Sequence, residues 1–103
     1  MTPVVSVIVV NWNRRDMLRA CLKSLRAQTL RDFEIVVVDN GSGDGSPAMV
    51  LEEFPEAELI RNSENRGFCA GNNQGIRQAR GTVLDHLYVI TREQARRTLG
   101  ILH

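Results

Sequence analysis

Apolar positions fall in two alternating patterns along this chain. Val4 to Val10 is a β-branched run interrupted only by Ser6, and Phe33 to Val38 (FEIVVV) is a second such run. Continuous apolar runs of this length suit parallel strands buried on both faces. Between them, Leu18, Leu22 and Leu25 recur at helical spacing, with Met17 and Cys21 beside the stripe. Asn13 and Asp16 have the spacing of a capping box that would open this helix. Further on, Ser46 is suited to an N-cap and Pro47 to the first helical position. The helix they open, PAMVLEEF, is expected to stop before Pro55. AELIR reads as a third, shorter strand, and AGNNQGIRQAR as a helix ended by Gly81 and weakened by Gly71 and Gly75. TVLDHLYVI reads as a fourth strand interrupted at Asp85-His86. Thr91 with Gln94 then opens a last helix, REQARRTLGIL.

The order β-α-β-α-β-α-β-α predicts an α/β fold, a Rossmann-like parallel sheet with flanking helices. Ligands of such sheets sit at the carboxyl ends of the strands. That edge collects the unusual polar residues: Asn11 to Arg14, Asp39 to Ser46, and Asn62 to Asn73.

Composition narrows the function. The chain has 103 residues, 43% hydrophobic and 24% charged, with a formal net charge of +1. This balance disfavours a general electrostatic grip on nucleic acid or on an anionic membrane. Basic residues are interleaved with acids except around Arg92, Arg96 and Arg97. No apolar run reaches the ~20 residues of a membrane span. Cys21 and Cys69 stand far apart without metal-ligand spacing, so they read as buried or idle thiols of a reducing cytoplasm.

The three polar loops carry the candidate chemistry. The first, NWNRR, lacks the G-x-G-x-x-G that a dinucleotide-binding unit needs after its first strand, which argues against hydride transfer. Trp12 offers either a flat surface to a base or sugar, or a cover for the sheet edge. Asn13 offers either an amide to a ligand or a helix cap. Asp39 can accept hydrogen bonds from a base imide or ribose hydroxyls, or it can cap its own loop. The GSGDGS that follows lacks a P-loop lysine. In ENRGFCAGNNQGI, Arg66 can bind a diphosphate or stack on a base, Gly67 permits a sharp turn, and Gly71 permits close approach of a ligand. Phe68 is expected in the core.

Taken in order, VSVIVVNWNRRDMLRACLKSLRAQT, FEIVVVDNGSGDGS and NRGFCAGNNQGIRQARG closely resemble the N-terminal part of family 2 glycosyltransferases, and among them the rhamnosyltransferases of bacterial cell-surface polysaccharides. The resemblance spans Val4 to about Gly81. It implies a GT-A fold and a nucleotide-diphosphate-sugar donor such as a UDP- or dTDP-sugar, transferred with inversion to an acceptor hydroxyl. It also implies donor-site roles for Asn11, Trp12, Asn13, Asp39, Arg66, Gly67, Asn72 and Asn73. Residues 1–81 are then the nucleotide-sugar-binding half of the domain, and 82–103 a divergent strand–helix tail that completes it.

The family's next strand ends in acids of a D-x-D type that hold Mg²⁺ or Mn²⁺. Here that stretch reads GTVLDHLYVITRE, without D-x-D; Asp85 comes early and Glu93 lies at an expected helix start. A catalytic base is not recognisable either, so the expectation is a recognition half that is inactive alone, from a truncated or frameshifted gene. The alternative is a non-catalytic nucleotide-binding or oligomerising module whose basic tail helix covers a sheet edge or builds a homodimer. A receiver domain would want an acidic pair after the first strand, where NWN stands.

Overall fold

A computed structural model of the chain describes residues 5–27, 33–80 and 86–89. In chain order the elements are β1 (Val5–Asn11), α1 (Arg15–Arg26), β2 (Phe33–Asn40), α2 (Ser46–Glu53), β3 (Glu58–Asn62), α3 (Phe68–Gln78) and β4 (His86–Val89). The strands form one parallel sheet in the order β3-β2-β1-β4. The β-branched runs therefore occupy the two central positions, where both faces must be covered. The described part of the fourth strand, His86–Val89, lies within the expected TVLDHLYVI.

Alternate residues of β1 and β2 feed two cores. Val7, Val9, Ile35 and Val37 pack under α1 and α2 with Leu18, Cys21, Leu22, Leu25, Met49, Val50 and Phe54. Ile8, Val10, Val36 and Val38 face the other side, where Ile60, Ile76 and Ala79 pack against them. α3 is held close on that side because it presents glycine to the sheet. A Cβ on Gly71 would come within 2.9 Å of Val10 Cγ1, and one on Gly75 would run into Ile8 Cγ2. Gly71, the glycine expected to let the backbone approach a ligand, lies close against the sheet. The intrinsic weakness of a helix with two glycines is offset by this close seating.

Chain connections step from β1 to β2 to β3 in one direction across the sheet, then return past β1 to β4. The reversal places a crevice at the carboxyl ends of β1 and its neighbours, the usual ligand position in open α/β sheets. Ion pairs clasp α1 to α2 and to the turn that follows it, Arg19 with Glu53 and Arg26 with Glu56. Arg26 also covers the ring of Phe54 at 4.5 Å.

Three helix boundaries differ from expectation. α1 is capped at Arg14, with no side-chain cap from its own segment, so Asn13 and Asp16 form no capping box. Asn13 stands at φ 52°, a left-handed conformation unlike that of an N-cap residue. α2 has Gly45 (φ 86°) at its N-cap and Ser46 in the first turn, one position later than expected. α3 begins at Phe68 and ends at Gln78, where Ala79 turns extended (ψ 143°), before Gly81 is reached. The last helix, with Thr91 and Gln94, lies outside the described residues, as do Asp85, Glu93 and the homodimer expectation built on the tail.

Candidate functional site

Two loops at the carboxyl edge are joined by a hydrogen-bond network around Asp39. This carboxylate is 2% exposed at the end of β2, paired in register with Asn11 of β1. Asn11 Nδ2 donates to Asp39 Oδ1 at 3.0 Å, Ser42 Oγ donates to the same oxygen at 2.7 Å, and Ser42 N donates to Oδ2 at 2.9 Å. Ser42 Oγ in turn accepts from Asn13 N at 2.8 Å, and Asn13 Oδ1 accepts from Gly43 N at 2.8 Å. Asp39 thus turns its own loop, one of the two roles open to it from sequence. A buried carboxylate that accepts several hydrogen bonds is stable only as part of such a network.

Asp44 caps both helices of the first layer. Its Oδ2 accepts from Arg15 N, the first residue of α1, at 2.9 Å, and its Oδ1 accepts from Ser46 N at 3.0 Å and from Ser46 Oγ. Burial pulls the Asp44 carboxyl upward, but the hydrogen bonds from the Ser46 hydroxyl and from the Arg15 and Ser46 amides outweigh it, and the group titrates below its ordinary range. A carboxylate here also meets the positive ends of two helices.

The third loop is joined to the second by backbone contact. Gly41 stands at φ 79°, and a Cβ on it would lie 2.8 Å from Glu64 Cα. Asn40, buried at the end of β2, donates through Nδ2 to Gly67 O at 3.1 Å, and its Oδ1 accepts from Asn62 Nδ2 at 2.9 Å. Gly67 itself adopts φ 89°, ψ 163° as the N-cap of α3.

These loops enclose a cleft of about 350 Å³. Trp12, Arg14 and Met17 line it together with Asn40, Asn65, Phe68 and Val10. Trp12 is 52% exposed, Phe68 45% and Met17 39%. Phe68 is therefore not a core residue, as its apolar character suggested. Its ring, on the first residue of α3, lines the cleft. Aromatic faces, a thioether, amides and one guanidinium suit a planar heteroaromatic ring carrying polar edges.

Of the residues singled out in the sequence, Trp12 lines the cleft directly. Asn11, Asn13 and Asp39 lie behind it in the network just described. Arg66 and Gly67 are exposed in the loop that follows Asn65. Asn72 is half-buried, its Oδ1 enclosed and without a hydrogen-bond partner among the described residues. Asn73 is exposed on the second turn of α3. Sequence reasoning missed Arg14, Met17, Asn40 and Asn65 as wall residues, and Ser42 and Asp44 as the residues that organise the loops. Except for Met17, which reads as part of the α1 stripe, their signal was position at the carboxyl edge, which they share with the residues that were found. Cys21 is buried in the first core, Cys69 is exposed in the first turn of α3, and no disulfide joins them.

Among the described residues that line the cleft there is no carboxylate or imidazole. Among the described residues, no three His, Cys, Asp or Glu side chains come together in a way that could hold a metal ion. Among the same residues, no helix is long and apolar enough to cross a membrane.

Residues 6–91 match the model of the glycosyl transferase family 2. YfnE of Bacillus subtilis, an uncharacterized glycosyltransferase, is 42% identical over 82 residues, covering 77% of this chain and 21% of the relative. The N-acetylglucosaminyl-diphospho-decaprenol L-rhamnosyltransferase of Mycobacterium tuberculosis is 32% identical over 78 residues, covering 76% of this chain and 25% of the relative. Among solved structures, that of S. aureus TarS 1-349 in complex with UDP superposes with a TM-score of 0.77 at 28% identity, covering 86% of this chain and 27% of that one. The chain thus spans about a quarter of the length of these relatives. With the GT-A-like sheet, the loops at its carboxyl edge and the family match over most of its length, this chain belongs to glycosyl transferase family 2.

Proposed function

We propose that the cleft between Trp12 and Phe68 receives the base of a nucleotide-diphosphate-sugar, and that the chain recognises the donor of a glycosyl transfer. The observation that carries this reading is the pairing of two half-exposed aromatic rings at the carboxyl edge of the sheet. Base–aromatic stacking contributes about 1–3 kcal/mol per base and needs such open faces. Arg66, in the exposed loop beside the cleft, is the group we assign to the diphosphate, since a guanidinium pairs with phosphate oxygens in a bidentate manner. Gly67 lets that loop bend. Asn11, Asn13 and Asp39 set the shape of the first two loops behind the base and offer polar edges to it and its ribose. Asn72 and Asn73 complete the donor side along α3.

UDP and dTDP are the nucleotides proposed, the first supported by the complex formed by S. aureus TarS. The similarity to a mycobacterial rhamnosyltransferase supports a place in bacterial cell-surface polysaccharide synthesis, on the cytoplasmic side where the donor would be met. Residues 82–103 are proposed to complete the same domain, of which residues 1–81 form the donor half.

A second reading, a nucleotide-binding module that does not turn over, is favoured by one feature: among the described residues, the cleft wall holds no acid or base. Transfer with inversion needs a general base within reach of the acceptor hydroxyl. The two readings separate in one set of measurements. Trp12 is the only tryptophan, so its fluorescence reports on the cleft alone. Saturable quenching by UDP or dTDP, with matching heat in titration calorimetry, is expected with and without Mn²⁺. Absence of heat at millimolar nucleotide would refute donor recognition. Nucleotide release from UDP- or dTDP-sugars in the presence of acceptor would refute the module.

A further inference from the structure

We infer that the side-chain amides of Gln74, Asn62 and Asn40 form a positioning relay that sets the loop carrying Asn65, Arg66 and Gly67 against the cleft. The relay starts in the middle of α3. Gln74 Nε2 donates to Asn62 Oδ1 at 2.9 Å, and Asn62 Nδ2 donates back to Gln74 Oε1 at 2.7 Å. The same Asn62 nitrogen donates its second N–H to Asn40 Oδ1 at 2.9 Å. Asn40 Nδ2 then donates to Gly67 O at 3.1 Å. Gly67 O also accepts from Gly71 N at 3.1 Å, the first intrahelical bond of α3.

The direction of this chain is determined at every link. An amide presents one acceptor and two donors, and Asn62 spends both donors on carbonyl oxygens. Turning Asn62 over would set its oxygen against the oxygens of Gln74 and Asn40. Turning Asn40 over would set oxygen against Gly67 O. The orientation of Gln74, remote from the cleft wall, is thereby carried to a backbone carbonyl at the cleft rim. Amide chains in a part-buried setting polarise and reinforce one another.

The place where the relay ends separates positioning from simple packing. An apolar residue at 74 would hold α3 on β3 as well as an amide does. Only a directed donor can reach the carbonyl of a residue at φ 89°, ψ 163°, the bend that points the preceding loop. On the other side of Gly67 its N–H donates to Asn65 Oδ1 at 2.8 Å, and Asn65 is a wall residue. Arg66 therefore sits between two anchored neighbours. This inference rests on the nucleotide reading only for its binding readout.

The test uses Gln74→Met in the full chain, a substitution of similar shape that removes both hydrogen bonds of the residue. Hydrogen exchange is expected to accelerate roughly 3- to 10-fold in peptides covering residues 63–71, the scale of one or two lost hydrogen bonds, with β1 unchanged. UDP binding, followed by Trp12 fluorescence, is expected to weaken by a similar factor. The losses from Gln74→Met and Arg66→Ala are expected to be less than additive in a double-mutant cycle, since both act through the same loop. Unchanged exchange in 63–71, equal acceleration in β1, or additive losses would overturn the relay. If the unmodified chain binds no UDP, the nucleotide reading fails, while the exchange result still decides the relay. Gln74→Glu keeps an acceptor for Asn62 Nδ2 but loses the donor. It supplies the same exchange test should Gln74→Met fail to fold.

Discussion

Asp44 shows how much a single exposed-loop residue can organise. It accepts from the first amides of α1 and α2, groups that no helix can satisfy internally, and from the Ser46 hydroxyl as well. Asp44→Ala is expected to lower stability by about 1–2 kcal/mol at pH 7, measured by urea unfolding. The sign of the pH dependence follows from its depressed titration. Stability from this group is complete above the unfolded carboxyl value of about 3.9 and is lost as pH falls through the lower folded value. The gap between wild type and Asp44→Ala should therefore close as pH drops below about 4. Phenylalanines offer a second contrast. Phe54 is 1% exposed and Phe68 45%. Phe54→Ala should cost about 3–5 kcal/mol, the range for a large core truncation. Phe68→Ala should stay within about 1 kcal/mol in the same urea measurement and weaken UDP binding instead.

α3 is the element whose sequence speaks most against its own structure. Glycine in a helix interior costs ~1 kcal/mol relative to alanine, so Gly75→Ala taken alone would stabilise the helix. Its Cβ, however, would run into Ile8 Cγ2, an atom of a fully buried strand residue that cannot step aside. Overpacking of that kind costs typically ~1–3 kcal/mol, so the substitution is expected to be destabilising on balance. Thermal unfolding of Gly75→Ala with and without Ile8→Ala, which removes Cγ2, checks the cause. The paired variant should lose less than the sum of the single ones, because the smaller strand residue gives back the space. Gly71 answers to the same logic against Val10, but it lies one turn nearer the cleft.

At the scale of the molecule, the reversal of strand order around β1 places all three loops on one rim, and each loop is tied to the next by groups far apart in sequence. Asn13 meets Gly43, Arg15 meets Asp44, and Gly41 meets Glu64. A ligand that touches all three loops should stabilise the whole fold. UDP at 100 times its Kd is expected to add about 2.7 kcal/mol, read as a rise in the thermal midpoint. No shift at saturating UDP would mean that the loops do not act as one site.

The alternation of β-branched runs with helical stripes determined the parallel sheet, the two-sided burial of β1 and β2, and the edge where the site lies. Those features depend on near neighbours in the chain and on which residues water excludes. The order of three polar loops was enough to point to the family. Tertiary structure alone decided how the loops are used. Asn13 and Ser46 have the right chemistry for caps, yet Asp44 takes both helices because its carboxylate lies within reach of both amides. Phe68 is apolar, yet it lines the cleft, because it is the first residue of α3 and precedes the glycines that seat the helix on the sheet. Gly71 and Gly75 read as weak helix positions until the sheet they touch is in place. In each case the deciding partner lies on another element, and a hydrogen bond or a close contact is set by distance in space, which the order of residues does not carry.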